Sequence, residues 1–372
     1  MRDICKSRKL DNVAYYVRGP VLDEAMAMEA NGETILKLNI GNPATFKFEA
    51  PQCIIDPMAN MLTSSEGYST SKGIVEAREA IVGYAKHKGI EGVDVEDVYT
   101  GNGCSELITM CMQGLLDQGD EILIPAPDYP LWTASATLAG GTVVHYICDE
   151  KSDWMPDLND IRSKITSKTK AIVIINPNNP TGALYPREIL LEIAQIAREN
   201  GLIIFADEIY DRLVMDGLKH ESIAALAPDV FTVTLNGLSK SHLVAGYRVG
   251  WMTLSGDKTH VKSYIEGLNM LSSMRLCSNV PAQHTINPAL ENLDATASLL
   301  LPGGRIYEQR RAICEAMDKI DGISYVKPSA AFYVFPKIDA KRFGITNDEK
   351  FVLDFLRKRK GTSRSRRRLP LD

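Results

Sequence analysis

The sequence predicts an α/β fold: a doubly wound, mainly parallel sheet with a smaller α+β unit appended. Three observations carry this. Short apolar runs without polar alternation recur through the middle of the chain, as expected of strands buried on both faces. Helical patterns fall between them. From about residue 300 the order changes to one helix followed by two short aromatic-rich runs. The strands are read at 121–125, 142–146, 171–175, 202–205, 231–235 and 249–254. A helix over 105–116 puts Leu107, Ile108, Cys111, Leu115 and Leu116 on one face. Another over 187–200 begins after Pro186 and stops before Gly201. Residues 305–320 read as a helix, and 324–326 and 331–335 as strands around Pro328. The first 45 residues or so end in an extended 36–40 and are expected to pack with this second unit.

Bulk properties narrow the function classes. The chain has 372 residues, 45% hydrophobic and 24% charged, enough for two or three domain-sized units. No apolar run is long enough to span a bilayer, and the charged N-terminus lacks the apolar core of a signal peptide. The seven cysteines are odd in number and form no Cys-x-x-Cys pair, and the six histidines show no ligand spacing. Reduced thiols in a cytoplasmic setting are therefore expected, with no metal site. The net charge of −5 divides unevenly: residues 357–372 carry +7 and the rest −12. An acidic body offers no nucleic-acid face. The basic run is read as a solvated end, with nucleic-acid binding as the less favoured alternative.

The candidate chemistry sits just after the apolar runs, where a parallel α/β sheet places its ligand. Lys240 follows the 231–235 run in Asn236-Gly237-Leu238-Ser239-Lys240, and Arg248 comes eight residues later. Asp207 ends the 202–206 run, with Tyr210 three residues on. Asn179 lies in Asn176-Pro177-Asn178-Asn179-Pro180-Thr181-Gly182. Together these are the parts needed to hold an aromatic aldehyde phosphate: a Schiff-base amine, a carboxylate for a ring nitrogen, donors for a phenolate and a cation for a phosphate. Each has a plainer reading when taken alone. Lys240 reads as a surface lysine, Asp207 as a structural ion pair or helix cap, the Asn-Pro segment as a turn. Gly101-Asn102-Gly103-Cys104-Ser105 opens a helix whose N-terminus suits a phosphate, and Arg248 would add a charge-assisted fork. Tyr129, after the 121–125 run, reads either as a ring stacked on the cofactor or as a core aromatic.

In this order, Asn179-Pro180-Thr181-Gly182, Asp207-x-x-Tyr210 and Ser239-Lys240 with Arg248 beyond resemble the class I/II aminotransferases of the fold-type I pyridoxal-phosphate enzymes. The likeness extends over roughly residues 5–356. It includes IGNPATF at 40–46, PAPDYPLW at 125–132, ADEIYD at 206–211 and MRLCSNVPAQ at 274–283, which look like the bacterial alanine aminotransferases. The resemblance implies a mainly parallel seven-stranded sheet. It also implies an N-terminal arm over 1–45, a large cofactor-binding domain over 46–300 and a smaller domain over 301–356. Its cofactor is pyridoxal 5′-phosphate; its substrates are amino acids and 2-oxo acids, alanine and 2-oxoglutarate in the nearest group. It implies a homodimer with shared active sites.

The resemblance assigns residues as follows. Lys240 forms the Schiff base and carries the proton. Asp207 pairs with the pyridine nitrogen, Asn179 and Tyr210 contact the phenolate, and Tyr129 stacks on the ring. Gly103, Cys104, Ser105 and Arg248 hold the phosphate. Tyr68 reaches the phosphate of the neighbouring subunit. Gly41 lines the substrate-carboxylate pocket, which Asn179 also borders. A cis Asn179–Pro180 peptide is compatible with it. Two departures stand out. Where many relatives carry a serine three residues before the lysine, this chain has Gly237, and Ser239 is the substitute. After residue 356 the family continues to an arginine that grips the substrate carboxylate, and nothing in 357–372 matches it. Poor transamination is therefore expected, from the loss of about 2–5 kcal/mol of substrate binding. The competing readings are an aminotransferase for another amino acid, or a silent protein that binds the cofactor or dimerises with an intact homologue.

Overall fold

The computed structural model describes residues 3–13, 19–38 and 40–362; the basic run beyond 362 and part of the expected 36–40 extension lie outside them. Eight strands make one sheet: β1 Val98–Asn102, β2 Glu121–Ala126, β3 Thr142–Asp149, β4 Met155–Pro156, β5 Thr169–Ile175, β6 Ile203–Asp207, β7 Thr232–Gly237 and β8 Val249–Ser255. Their order is β1-β8-β7-β6-β5-β2-β3-β4. The run from β3 to β7 is parallel, while β8 is antiparallel to both β7 and β1, and β4 is antiparallel to β3. The count of seven expected from the resemblance is thus exceeded by one. The extra member, β4, is a two-residue edge strand ending in Pro156, a residue that sheets accept at an edge because it has no N–H to give.

The central strands lack polar alternation because both faces are covered. Along β5, Val173 and Ile175 face one core with Phe205, Val233, Leu235 and Trp132. Ile172 and Ile174 face the other, with Ile204 and the helix residues Leu190, Ile193 and Ala197. The first core is closed by the helices Cys104–Leu115 and Lys262–Met274, the second by Arg187–Asn200. Arg187–Asn200 has the predicted bounds, and Gly201 caps it in the left-handed region at φ 62°.

The C-terminal region departs from expectation. The helix Arg305–Met317 stops three residues before the predicted end. The only two-stranded sheet among the described residues pairs β9 Ile323–Ser324 with β10 Lys337–Ile338. Residues 331–335 are not a strand. Ala330 makes an isolated bridge to Val214 and Ala331 turns to φ 61°, which sends Phe332 and Tyr333 together onto Tyr210. The helix Asp348–Thr362 takes in the start of the basic run and packs on the helix Pro20–Ala30. Arg357 forks onto Glu24 there, at 2.9 and 3.2 Å, so this arginine is positioned by a partner and is not a loose end. No helix among the described residues is long and apolar enough to cross a membrane.

Candidate active site

Sequence-predicted residues converge beyond the carboxyl ends of β1, β5, β6 and β7. β7 ends at Gly237, and the four-residue helix Leu238–Ser241 turns Lys240 back toward the sheet edge. Lys240 is half-buried, and its Nζ donates to Gly41 O at 2.7 Å. Burial, then the Arg248 charge, holds its ammonium below the usual lysine range, against the opposing pull of Cys104 and Asp207. An amine meant to attack an aldehyde needs that shift. Gly237 explains the missing serine: a Cβ there would lie 2.5 Å from Val249 O and 3.0 Å from Gly250 Cα. Ser239, the expected substitute, is buried beside Lys240.

Asp207 closes β6, with 3% exposure. It caps no helix, since a turn follows it. Its carboxylate accepts from Trp132 Nε1 at 3.2 Å and from Ile209 N at 3.3 Å, both neutral donors that leave the charge itself unbalanced. Burial pushes its pKa up to about 6, partly offset by the Trp132 bond. A buried carboxyl in this state suits a cationic ring N–H. Trp132 carries no functional signal in the sequence, because a tryptophan after a strand reads as core.

Tyr210 is buried, and its Oη lies 2.6 Å from Tyr333 Oη. Asp207 and Tyr129 both face it electrostatically. Tyr129 packs against the core shared by Phe205 and Leu235, and its carbonyl receives Trp132 N at 3.0 Å. Asn179 is half-buried in the loop leaving β5, where Asn179–Pro180, Asn176–Pro177 and, after β2, Ala126–Pro127 are cis. Asn178 staples this loop by accepting from Thr181 N at 3.1 Å and Thr181 Oγ1 at 2.8 Å.

At β1 the chain turns through Gly103, φ 81°, into the helix Cys104–Leu115, whose first N–H groups include those of Cys104 and Ser105. Arg248 lies over this turn: its guanidinium would stand 2.2 Å from a Cβ on Gly103, and it donates to Asn102 O at 3.1 Å and Ala245 O at 2.9 Å. The Cys104 thiol points away, donating to Asn236 O at 2.9 Å. Burial raises that thiol far above its usual range, so Cys104 offers an anion its backbone N–H only. Tyr68 joins none of this: it is 81% exposed.

Behind the site runs a buried polar network with no sequence signal, since Tyr84 and Lys88 lie 120 to 127 residues from the carboxylates they meet. Lys88, at the end of the helix Val75–His87, meets both Glu208 and, at 2.6 Å, Asp211 Oδ2. Tyr84 Oη and Asn236 Nδ2 each donate to the same oxygen at 2.7 Å. Asn236 Oδ1 in turn accepts from Gly237 N at 2.7 Å. The turns that carry Asp207 and Lys240 are thus tied to each other.

A half-buried amine held below the usual lysine range, a buried acid that only neutral donors contact and a helix start with free N–H groups beside an arginine, on one sheet edge, are the parts a pyridoxal-phosphate enzyme needs. The comparisons with known proteins agree. The family "aminotransferase class I and II" matches residues 33–370, which takes in most of the basic run set outside the resemblance at residue 356. The chain is 58% identical over 356 residues to the glutamate-pyruvate aminotransferase AlaA of Escherichia coli K12, covering 96% of this chain and 88% of that one. It is 53% identical to the alanine aminotransferase of Mycobacterium tuberculosis H37Rv, covering 95% and 83%. Among solved structures, an aminotransferase from Escherichia coli superposes with a TM-score of 0.93 at 57% identity, covering 95% and 88%. The alanine aminotransferase of Pyrococcus furiosus gives 0.89 at 38%, with the same coverage. The chain belongs to the class I and II aminotransferases and uses pyridoxal 5′-phosphate.

Proposed function

We propose that the chain moves the amino group of alanine to 2-oxoglutarate, yielding pyruvate and glutamate. The carrying observation is the 58% identity across 96% of the chain to a glutamate-pyruvate aminotransferase. Steady-state kinetics with alanine, aspartate, valine and tyrosine as donors test it: alanine is expected to give the highest kcat/KM, and a higher value for another donor overturns the assignment.

The bound cofactor supplies a protonated heteroaromatic ring that accepts electron density from the substrate's alpha carbon. The residues divide the remaining work. Lys240 Nζ, whose ammonium form burial and the Arg248 charge disfavour, anchors the cofactor and then moves a proton at the alpha carbon. Asp207 keeps the ring nitrogen protonated. Asn179 and Tyr210 donate to the ring oxygen, and Tyr129 covers the ring face. Gly103 turns the chain so that Cys104 and Ser105 present backbone N–H groups to the phosphate, with Arg248 adding charge and Ser239 a hydroxyl. Gly41 borders the substrate carboxylate with Asn179. Borohydride reduction followed by peptide mapping is expected to label Lys240; a label elsewhere defeats these assignments.

The arm at 1–45, the large domain at 46–300 and the small domain at 301–356 are proposed as mechanical units. A homodimer is proposed too, supported by the exposed apolar side chains of Leu36, Leu38, Tyr68, Met270 and Met274. Seven free thiols favour a reducing cytoplasm.

A further inference from the structure

We propose that Tyr333 is a positioning residue for this reaction: its hydroxyl donates to Tyr210 Oη and so keeps the Tyr210 proton directed at the cofactor. The inference rests on the proposed role of Tyr210 and adds a residue to it. The two hydroxyl oxygens are 2.6 Å apart, and either one is able to donate to the other. A phenol carries a single proton. If Tyr210 donated to Tyr333, its only proton would be spent inside the protein and the ring oxygen of the cofactor would lose a donor. The opposite orientation serves both contacts, and an O–H whose oxygen accepts a hydrogen bond is itself a stronger donor. Burial raises both phenols above their ordinary range, so both keep their protons at neutral pH and the count holds.

Tyr333 is delivered to this position by backbone bonds from two site loops. Ser329 N and Ala330 N both donate to Gly182 O at 3.0 Å, in the loop that carries Asn179. Ala331 N donates to Leu213 O at 2.8 Å, and Met215 N to Ser329 O at 3.0 Å, just after Tyr210. The rings of Tyr210 and Tyr333 meet edge-on, with centroids 5.6 Å apart and planes at 77°. On its other side Tyr333 Oη would lie 2.7 Å from a Cβ on Gly41, the residue whose carbonyl receives Lys240 Nζ. One hydroxyl therefore stands between the ring-oxygen donor and the shelf under the reactive lysine. The ionisable groups facing the pair are Asp207 and Tyr129; those facing Lys240 are Arg248, Cys104 and Asp207.

The test is a pH titration of the visible absorption of the cofactor-loaded enzyme, in wild type, Tyr333→Phe, Tyr210→Phe and the double variant. Loss of one hydrogen bond should raise the apparent pKa of the bound chromophore by roughly 0.4–1 unit in Tyr333→Phe. Tyr210→Phe should raise it further, and adding Tyr333→Phe to Tyr210→Phe should change it no more, because Tyr333 acts through Tyr210. A wild-type titration in Tyr333→Phe, with a shifted one in Tyr210→Phe, overturns this inference and leaves the role of Tyr210 standing. An unshifted Tyr210→Phe overturns that role instead. Thermal midpoints are measured alongside: a lowered midpoint with an unmoved titration would make Tyr333 merely structural and defeat the proposal.

Discussion

Asp207 holds a charge that only neutral donors contact, and this makes it a cost to the cofactor-free fold. Its carboxyl titrates near 6 in the folded chain against 3.8 for the ordinary group. Between those values the native state binds more protons than the unfolded one, so stability falls as pH rises through the window and stays low above it. Two pKa units amount to about 3 kcal/mol. Asp207→Asn keeps an acceptor for Trp132 and removes the charge. It should stabilise the cofactor-free protein at pH 8 by up to about 3 kcal/mol and by roughly half that at pH 5, while weakening cofactor binding. Urea unfolding at both pH values checks this; a gain independent of pH would mean that the charge is not the cause. Asp207 and Lys240 are legible in the sequence because each polar residue interrupts or follows an apolar run. Trp132 and Tyr333 are not, because an aromatic near a strand looks like core until its polar atom is seen to have a partner.

At the scale of elements, the start of the helix Cys104–Leu115 depends on one backbone angle. Gly103 sits at φ 81°, and a Cβ would press into the Arg248 guanidinium. Gly103→Ala should cost about 1–3 kcal/mol of stability through strain. It should also weaken pyridoxal phosphate binding more than binding of phosphate-free pyridoxal. The ratio of the two dissociation constants reads this out; an unchanged ratio would remove the phosphate from this helix. Behind it, Lys88 is the cation that Glu208 and Asp211 share. Lys88→Met should lower stability at neutral pH by about 3–5 kcal/mol, measured by urea titration, because two buried carboxylates lose their partner. Elements with a uniform pattern, such as β5 and Arg187–Asn200, are legible from sequence. β1 is not, since Thr100, Gly101 and Asn102 break its apolar run although Val98, Tyr99 and Thr100 are buried. Residues 331–335 mislead in the other direction: their composition suits a strand, but Ala331 N bonds to Leu213 O and the rings of Phe332 and Tyr333 turn onto Tyr210.

At the scale of the whole molecule the open matter is where Tyr68 acts. It is 81% exposed and touches none of the groups around Lys240, so a role at the phosphate requires a second copy of the chain. Exposed Leu36, Leu38, Met270 and Met274 give such a contact apolar surface to bury. A symmetric dimer would then place the Tyr68 of one subunit in the site of the other. Complementation distinguishes this from a site served by its own chain. Lys240→Ala and Tyr68→Ala, each nearly inactive as homodimers, are unfolded together and refolded as an equal mixture. With sites shared across the interface, the mixed dimer has one site with both defects and one with neither. Mixed dimers make up about half of the population, so activity should recover to about a quarter of wild type. If Tyr68 serves its own subunit, the mixed dimer has one defect in each site, and the mixture should show only the average of its two parents. That second result, with the dimer itself confirmed by sedimentation, would remove Tyr68 from the phosphate site while leaving the assembly intact.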